Sequence, residues 1–308
     1  MLLRSLLAVC ILSTVVCAQE SSSEAGRVHA EMRNVVYHYT DPIAVHIIHL
    51  EGELVPIGEA GLPVFEEPNS FLVDVRSAEL SITTAALANV MNQYAFAASD
   101  APIKNIHVST QGGKLQVLGR LRKGNVPFES DGSLGVTPDG EIRVHTEKVK
   151  ALRVPVKGLM DLLGQDIAKL IDTRKVRGVR AEGNDLILNP AELFPPPHIR
   201  GRLSAIDARG NAIALKYGGP SERKVRIPGN YMAYRGARLQ FGKLTMNDAD
   251  LTLIDMDPQD PLDFYLDHYW DQLAAGYSKI THSFGLHTYC RDYNKLTPAQ
   301  KTARKVTR

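Results

Sequence analysis

Three groups of side chains in this sequence stand close enough together to do chemistry. The first is His46-x-x-His49-x-Glu51. Imidazoles beside a carboxylate are the raw material of a divalent-metal site. Yet Ala44–Leu50 reads as a strand, and residues three apart on a strand point to opposite faces. His46 and His49 are therefore expected to diverge as ordinary strand histidines. The second group is Asp255-Met256-Asp257-Pro258-Gln259-Asp260, with Asp263 beyond. Ca2+ takes roughly six to eight oxygens with loose geometry, which a loop dense in carboxylates can supply. Asp255, Asp257 and Asp260 are thus candidate metal ligands, and Ca2+ is the cofactor such a loop would take. It is not an EF-hand, because Asp260 stands where glycine is required and the closing glutamate is missing. Asp260 and Asp263 also suit the cap and first turn of a helix. The third group is a basic stretch. Residues 146–180 hold nine Lys and Arg against four acids, whereas residues 245–275 hold eight aspartates and no Lys or Arg. Such a stretch can meet anionic headgroups or be a solvated face.

The common catalytic signatures are missing. Gly132-Ser133-Leu134-Gly135 lacks the spacing of a nucleophile elbow, and there is no P-loop, G-x-G-x-x-G or H-E-x-x-H. Cysteines stand only at Cys10, Cys17 and Cys290, too few and too scattered for a Cys-based zinc site. These observations favour a non-enzymatic protein.

The ends bound where it works. Arg4, the apolar run Leu6–Val16 and the small residues of Val16-Cys17-Ala18 have the layout of a secretory signal peptide over residues 1–18. The run is shorter than the about 20 residues that span a bilayer. The expectation is an exported protein, periplasmic or secreted. A mature chain would keep Cys290 alone and form no internal disulfide. The 36 Lys and Arg nearly balance 34 Asp and Glu, which with export argues against a nucleic-acid partner.

These groups depend on the elements that carry them. Residues 19–33 read as a flexible leader and 291–308 as a basic tail. Between them, Val35–Tyr39, Ala44–Leu50 and Glu53–Ile57 read as short strands, with Glu51-Gly52 able to turn a hairpin. Phe71–Val75 is a further strand. Thr83 or Thr84 can cap a helix whose Leu87, Val90, Met91 and Tyr94 share one face. Strands joined by tight turns follow from Ile106 to His145, then an amphipathic helix over Lys157–Ile171. Residues 218–228 are the best boundary, dividing a sheet-rich main domain, 34–217, from a strand-and-helix extension, 218–290. In the latter, Pro261–Ala275 reads as a helix with Asp260 as N-cap and Gly276 as stop. The expected fold is α+β: an extended, curved antiparallel sheet packed with two or three helices.

Within residues 71–210, the strand Phe71–Val75 leads into the helix near Ser81-Ile82-Thr83. Then come Gly113-Lys114-Leu115-Gln116-Val117-Leu118-Gly119, Val126-Pro127-Phe128, Pro138-Asp139-Gly140-Glu141-Ile142-Arg143-Val144 and the second helix. That order resembles the LmeA-like phospholipid-binding proteins of the tubular lipid-binding superfamily. The resemblance implies a curved sheet wrapping a helix and leaving an apolar groove for acyl chains. Leu87, Val90, Met91 and Tyr94, with Leu115, Val117 and Leu121, would line it. Lys148, Lys150, Arg153 and Lys157 would stand near headgroups and give a membrane-surface contact. Ordinary core is the competing role of each apolar position. The leading expectation is therefore binding of a lipid or amphiphile. The alternative is an envelope scaffolding or interaction protein whose Tyr265, Tyr269 and Trp270 form an aromatic surface, and a third, lower-ranked reading is a calcium-dependent enzyme using the aspartate-rich loop.

Overall fold

The computed structural model describes residues 26–58, 61–151, 168, 171–219 and 228–301. The expected signal peptide, residues 19–25 of the leader, most of the helix expected over Lys157–Ile171 and the end of the basic tail lie outside the described residues. The rest of the leader is not flexible, because residues 28–33 already belong to a strand that buries Val28, Ala30 and Met32.

Two long strands, β1 (Val28–Thr40) and β2 (Ile43–Pro56), form the centre of the larger sheet. Their alternation explains why. Val28, Ala30, Met32, Val35, Tyr37 and Tyr39 are buried on one face, and the residues between them are polar or half-exposed. Each large side chain buried in this way contributes about 1.5–3 kcal/mol. The chain reverses at Asp41-Pro42, not at Glu51-Gly52, through which β2 runs unbroken. Gly52 serves close approach instead. A Cβ there would lie 2.4 Å from the carbonyl oxygen of Asp74, at a register shift between β2 and β3 (Phe71–Thr83). A second bulge, between Ile47 and His49, resets the alternation. His46 and His49 consequently share the face opposite buried Ile47 and Leu50, and do not diverge as the spacing implied.

Among the described residues the larger sheet has eleven strands. Beyond β3 come β12 (Ala212–Tyr217) and β11 (Leu203–Arg209), with β10 (His198–Arg200) parallel to β3. On the other side of β1 lie β13 (Tyr231–Gly236), β16 (Ala249–Asp255), β19 (Leu286–Cys290) and, at the edge, β18 (Tyr277–Ile280). Strands from beyond residue 228 thus continue the sheet that begins at Val28, with β13 hydrogen-bonded directly to β1. A short hairpin, β14 (Leu239–Phe241) and β15 (Leu244–Met246), lies between β13 and β16 in sequence.

Among the described residues the second sheet has six strands in the order β4 (Ile103–Gln111), β5 (Lys114–Leu121), β6 (Val126–Val136), β7 (Ile142–Ala151), β9 (Asp185–Leu188) and β8 (Val179–Glu182). All its pairings are antiparallel, as the turn-rich sequence implied. The fold is sheet-dominated α+β. Among the described residues, helices are few and short: α1 (Thr84–Val90), α2 (Pro190–Leu193) and α3 (Tyr269–Ala274). Thr83 caps α1, its hydroxyl accepting from the Ala86 N–H at 3.1 Å. A π-helical turn, Met91–Ala95, prolongs it.

The helix expected over Pro261–Ala275 is mostly something else. Leu262–Tyr265 is a strand, β17, parallel to β1, and a 3-10 turn separates it from α3. Leu262 and Phe264 are wholly buried with Tyr37 stacked on Phe264, so burial overrides the capping signals. Asp263 does not cap a helix; its carboxylate meets His38 Nε2 at 2.8 Å.

Candidate functional site: an apolar cavity between the sheets

Where α1 crosses from one sheet to the other, the two sheets fail to fill the space between them. A cavity of about 90 Å3 remains; among the described residues twenty line it, none with a polar side chain. Its walls are explicable from strand parity. β4, β5, β6 and β7 contribute Ile106, Val108, Leu115, Val117, Leu134, Ile142 and Val144 from one side. Ile82, Ile206, Ile213 and Leu215 come from β3, β11 and β12 on the other. Leu87 and Met91 descend from α1 and its π turn, and Leu193 and Phe194 close the space beside them. Asn92 ties the turn to β4. Its Nδ2 donates to the Ala88 and Ile106 carbonyls, and its Oδ1 accepts from the Ile106 N–H. π turns inside helices recur at functional sites.

Of the expected groove residues, Leu87, Met91, Leu115 and Val117 line the cavity, whereas Val90, Tyr94 and Leu121 do not. Val90 and Leu121 are buried core. Tyr94 lies under the Arg177 guanidinium, 5.3 Å from its ring centre. Sequence reasoning missed the wall from β3, β9, β11 and β12. Its signal was the apolar alternation of Ile213 and Leu215, readable as a strand but not as facing α1.

Among the described residues, nothing in the lining can donate or accept a proton or attack an electrophile. The cavity can only exclude water and hold apolar matter. Of the basic residues expected at its headgroup side, Lys150 is exposed on β7, 3.7 Å from Glu129. The Lys148 side chain, Arg153 and Lys157 lie outside the described residues.

The aspartate loop is organised around a lysine. Among the described residues, the group able to share one ion is Asp257, Asp260 and Asp292, rather than Asp255, Asp257 and Asp260. The Lys295 ammonium already stands there, 2.9 Å from Asp257, 2.7 Å from Asp260 and 2.8 Å from Asp292. A Ca2+ ion would have to displace it. Asp255 turns away, accepting from the Asn230 side chain and the Asp257 N–H, both at 2.8 Å. Burial pushes its carboxyl above the usual aspartate value.

His46 continues a polar chain on the outer face. Its Nε2 is 2.9 Å from Asn34 Oδ1, and Asn34 donates to Asn230 at 2.8 Å. Burial lowers the His46 pKa, so the ring stays neutral more readily than a free histidine. Cys290 is wholly buried, and its thiol is pushed up to about 12, first by burial and then by Asp255 and Asp292. The aromatic surface expected at the C-terminal end is largely internal. Tyr269 is fully buried among Phe65, Phe241 and Phe264, and Tyr265 stacks 3.7 Å from the His38 ring.

Comparison with protein-family models, with curated proteins and with solved structures finds no match.

Proposed function

We propose that this protein binds the acyl portion of a lipid or similar amphiphile in the cavity between its sheets, without catalysis. The observation that carries the reading is the wholly apolar lining. Cavities of this kind stay dry and take up apolar molecules, as an engineered one of about 150 Å3 does with benzene. In the closed form the space admits the end of a chain. A whole chain enters as α1 and its π turn move off the six-stranded sheet, because α1 is only seven residues long and rich in alanine. The LmeA-like order of residues 71–210 supports the same reading, as does the expected export to an extracytoplasmic space.

The test is titration with a dansyl-labelled fatty acid. The intact protein should take up the probe with blue-shifted, saturable emission. Val117→Phe, which puts a ring into the cavity, should stay folded and bind at least about tenfold more weakly. Equal binding by that variant places the probe elsewhere and sinks the reading.

A further inference from the structure

The hairpin formed by β18 and β19 exposes apolar side chains that the fold could have hidden. Ile280 is 75% exposed and Phe284, at the tip, 92%. Phe284 is held there with φ of +63°, in the left-handed region that bulky residues avoid. The turn that holds it is tied by three hydrogen bonds. Thr281 N–H donates to Gly285 O at 2.7 Å, Phe284 N–H to Thr281 O at 3.0 Å, and Gly285 N–H to the Thr281 hydroxyl at 2.8 Å. Backbone strain kept in a well-tied turn, with the ring aimed into solvent, suggests a use for that ring.

We infer that this hairpin tip is a membrane-docking element that inserts Phe284 and Ile280 into the interfacial region of an anionic lipid surface. Three observations favour lipid over a protein partner. The first is area. Phe284, Ile280 and half-exposed Tyr277 together show on the order of 400 Å2, about half of the ~800 Å2 that each side of a standard protein interface buries. The second is charge. Residues 276–290 contain no Asp or Glu, but do contain Lys279, His282 and His287. The nearest packed acid, Asp250 beside Gly285, faces Arg235 at 3.5 Å. The third is depth. Tyr277 lies three residues behind Ile280, roughly 10 Å along a strand. It stacks on Tyr289 with ring centres 4.6 Å apart, and the Lys279 ammonium lies 5.2 and 5.7 Å from the two rings. A tyrosine pair and a lysine at that distance behind the inserting tip fall at headgroup level, where such residues anchor proteins.

Docking does not depend on the cavity being a lipid site, and the test separates the two. Flotation of the intact protein with phosphatidylglycerol–phosphatidylcholine vesicles should recover it in the lipid fraction, less so on pure phosphatidylcholine. Phe284→Gly should lower the partition coefficient about tenfold while leaving the melting temperature unchanged or raised, because glycine relieves the left-handed strain. Ile280→Ser should act in the same direction, and Val117→Phe should float like the parent. The proposal is overturned if the parent does not float, or if Phe284→Gly and Ile280→Ser float as well as it does. It is equally overturned if both variants abolish self-association instead, which would make β18 a strand-pairing edge.

Discussion

Lys295 and its three aspartates show how one side chain settles what a local run of acids is for. The ammonium donates to Asp257 and Asp260 and ion-pairs with Asp292 as well, and holds the Asp260 carboxyl below its usual value of 3.8. A lowered carboxyl contributes stability above its unfolded value, and that contribution disappears as pH falls through the lowered one. The raised Lys295 contributes below its unfolded value of 10.5 and loses that contribution only in strong alkali. Both are fully present at neutral pH. Lys295→Met should therefore lower the melting temperature at pH 7, and the gap from the parent should close as the pH drops below 3.8. Melting curves across pH read this directly, and a gap independent of pH would sink the account. Added Ca2+ should leave the parent's melting temperature unchanged. The cluster was not legible in the sequence. Asp257 and Asp260 are only three positions apart in the chain, but Asp292 and Lys295 arrive from the far side of α3, β18 and β19.

Among the elements, the strands depend on close approaches that only glycine permits. Gly52 lets β2 pass β3 where the register shifts. A methyl there meets the Asp74 carbonyl and the Val75 Cα, both backbone and neither able to swing aside. Gly52→Ala should cost about 2–4 kcal/mol, measured by urea unfolding, a large loss for a single methyl. A loss below about 0.5 kcal/mol would show that the strands adjust freely. The sequence announced Gly52 as a turn because Glu-Gly is turn-like; only its neighbour across the sheet shows why a glycine is needed. Local signals did suffice where neighbours in sequence decide. The Thr83 cap and the Leu87–Met91 stripe were readable. Pro261–Ala275 was misread because caps are local, whereas the pairing of Leu262 and Phe264 with β1 joins residues more than two hundred positions apart.

Taken as a whole, the described residues form two large sheets and a short hairpin that share one apolar core, with α1 at the place where the large sheets do not quite meet. The sheet-rich character and four of the seven expected groove residues follow from alternation and helical spacing. The opposite wall did not, since parity says which face a residue takes but not what that face meets. The two proposals join in one account: a dry space proposed to accept acyl chains, and a hairpin tip proposed to bring the protein to the surface supplying them.

The most direct measurement is native mass spectrometry of the intact protein after incubation with phospholipid vesicles, followed by organic extraction of what remains bound. The account predicts a mass increment matching one lipid or fatty acid per chain, lost in Val117→Phe with the fold intact. A clean apo mass in the parent, or the same increment in the filled-cavity variant, would contradict it.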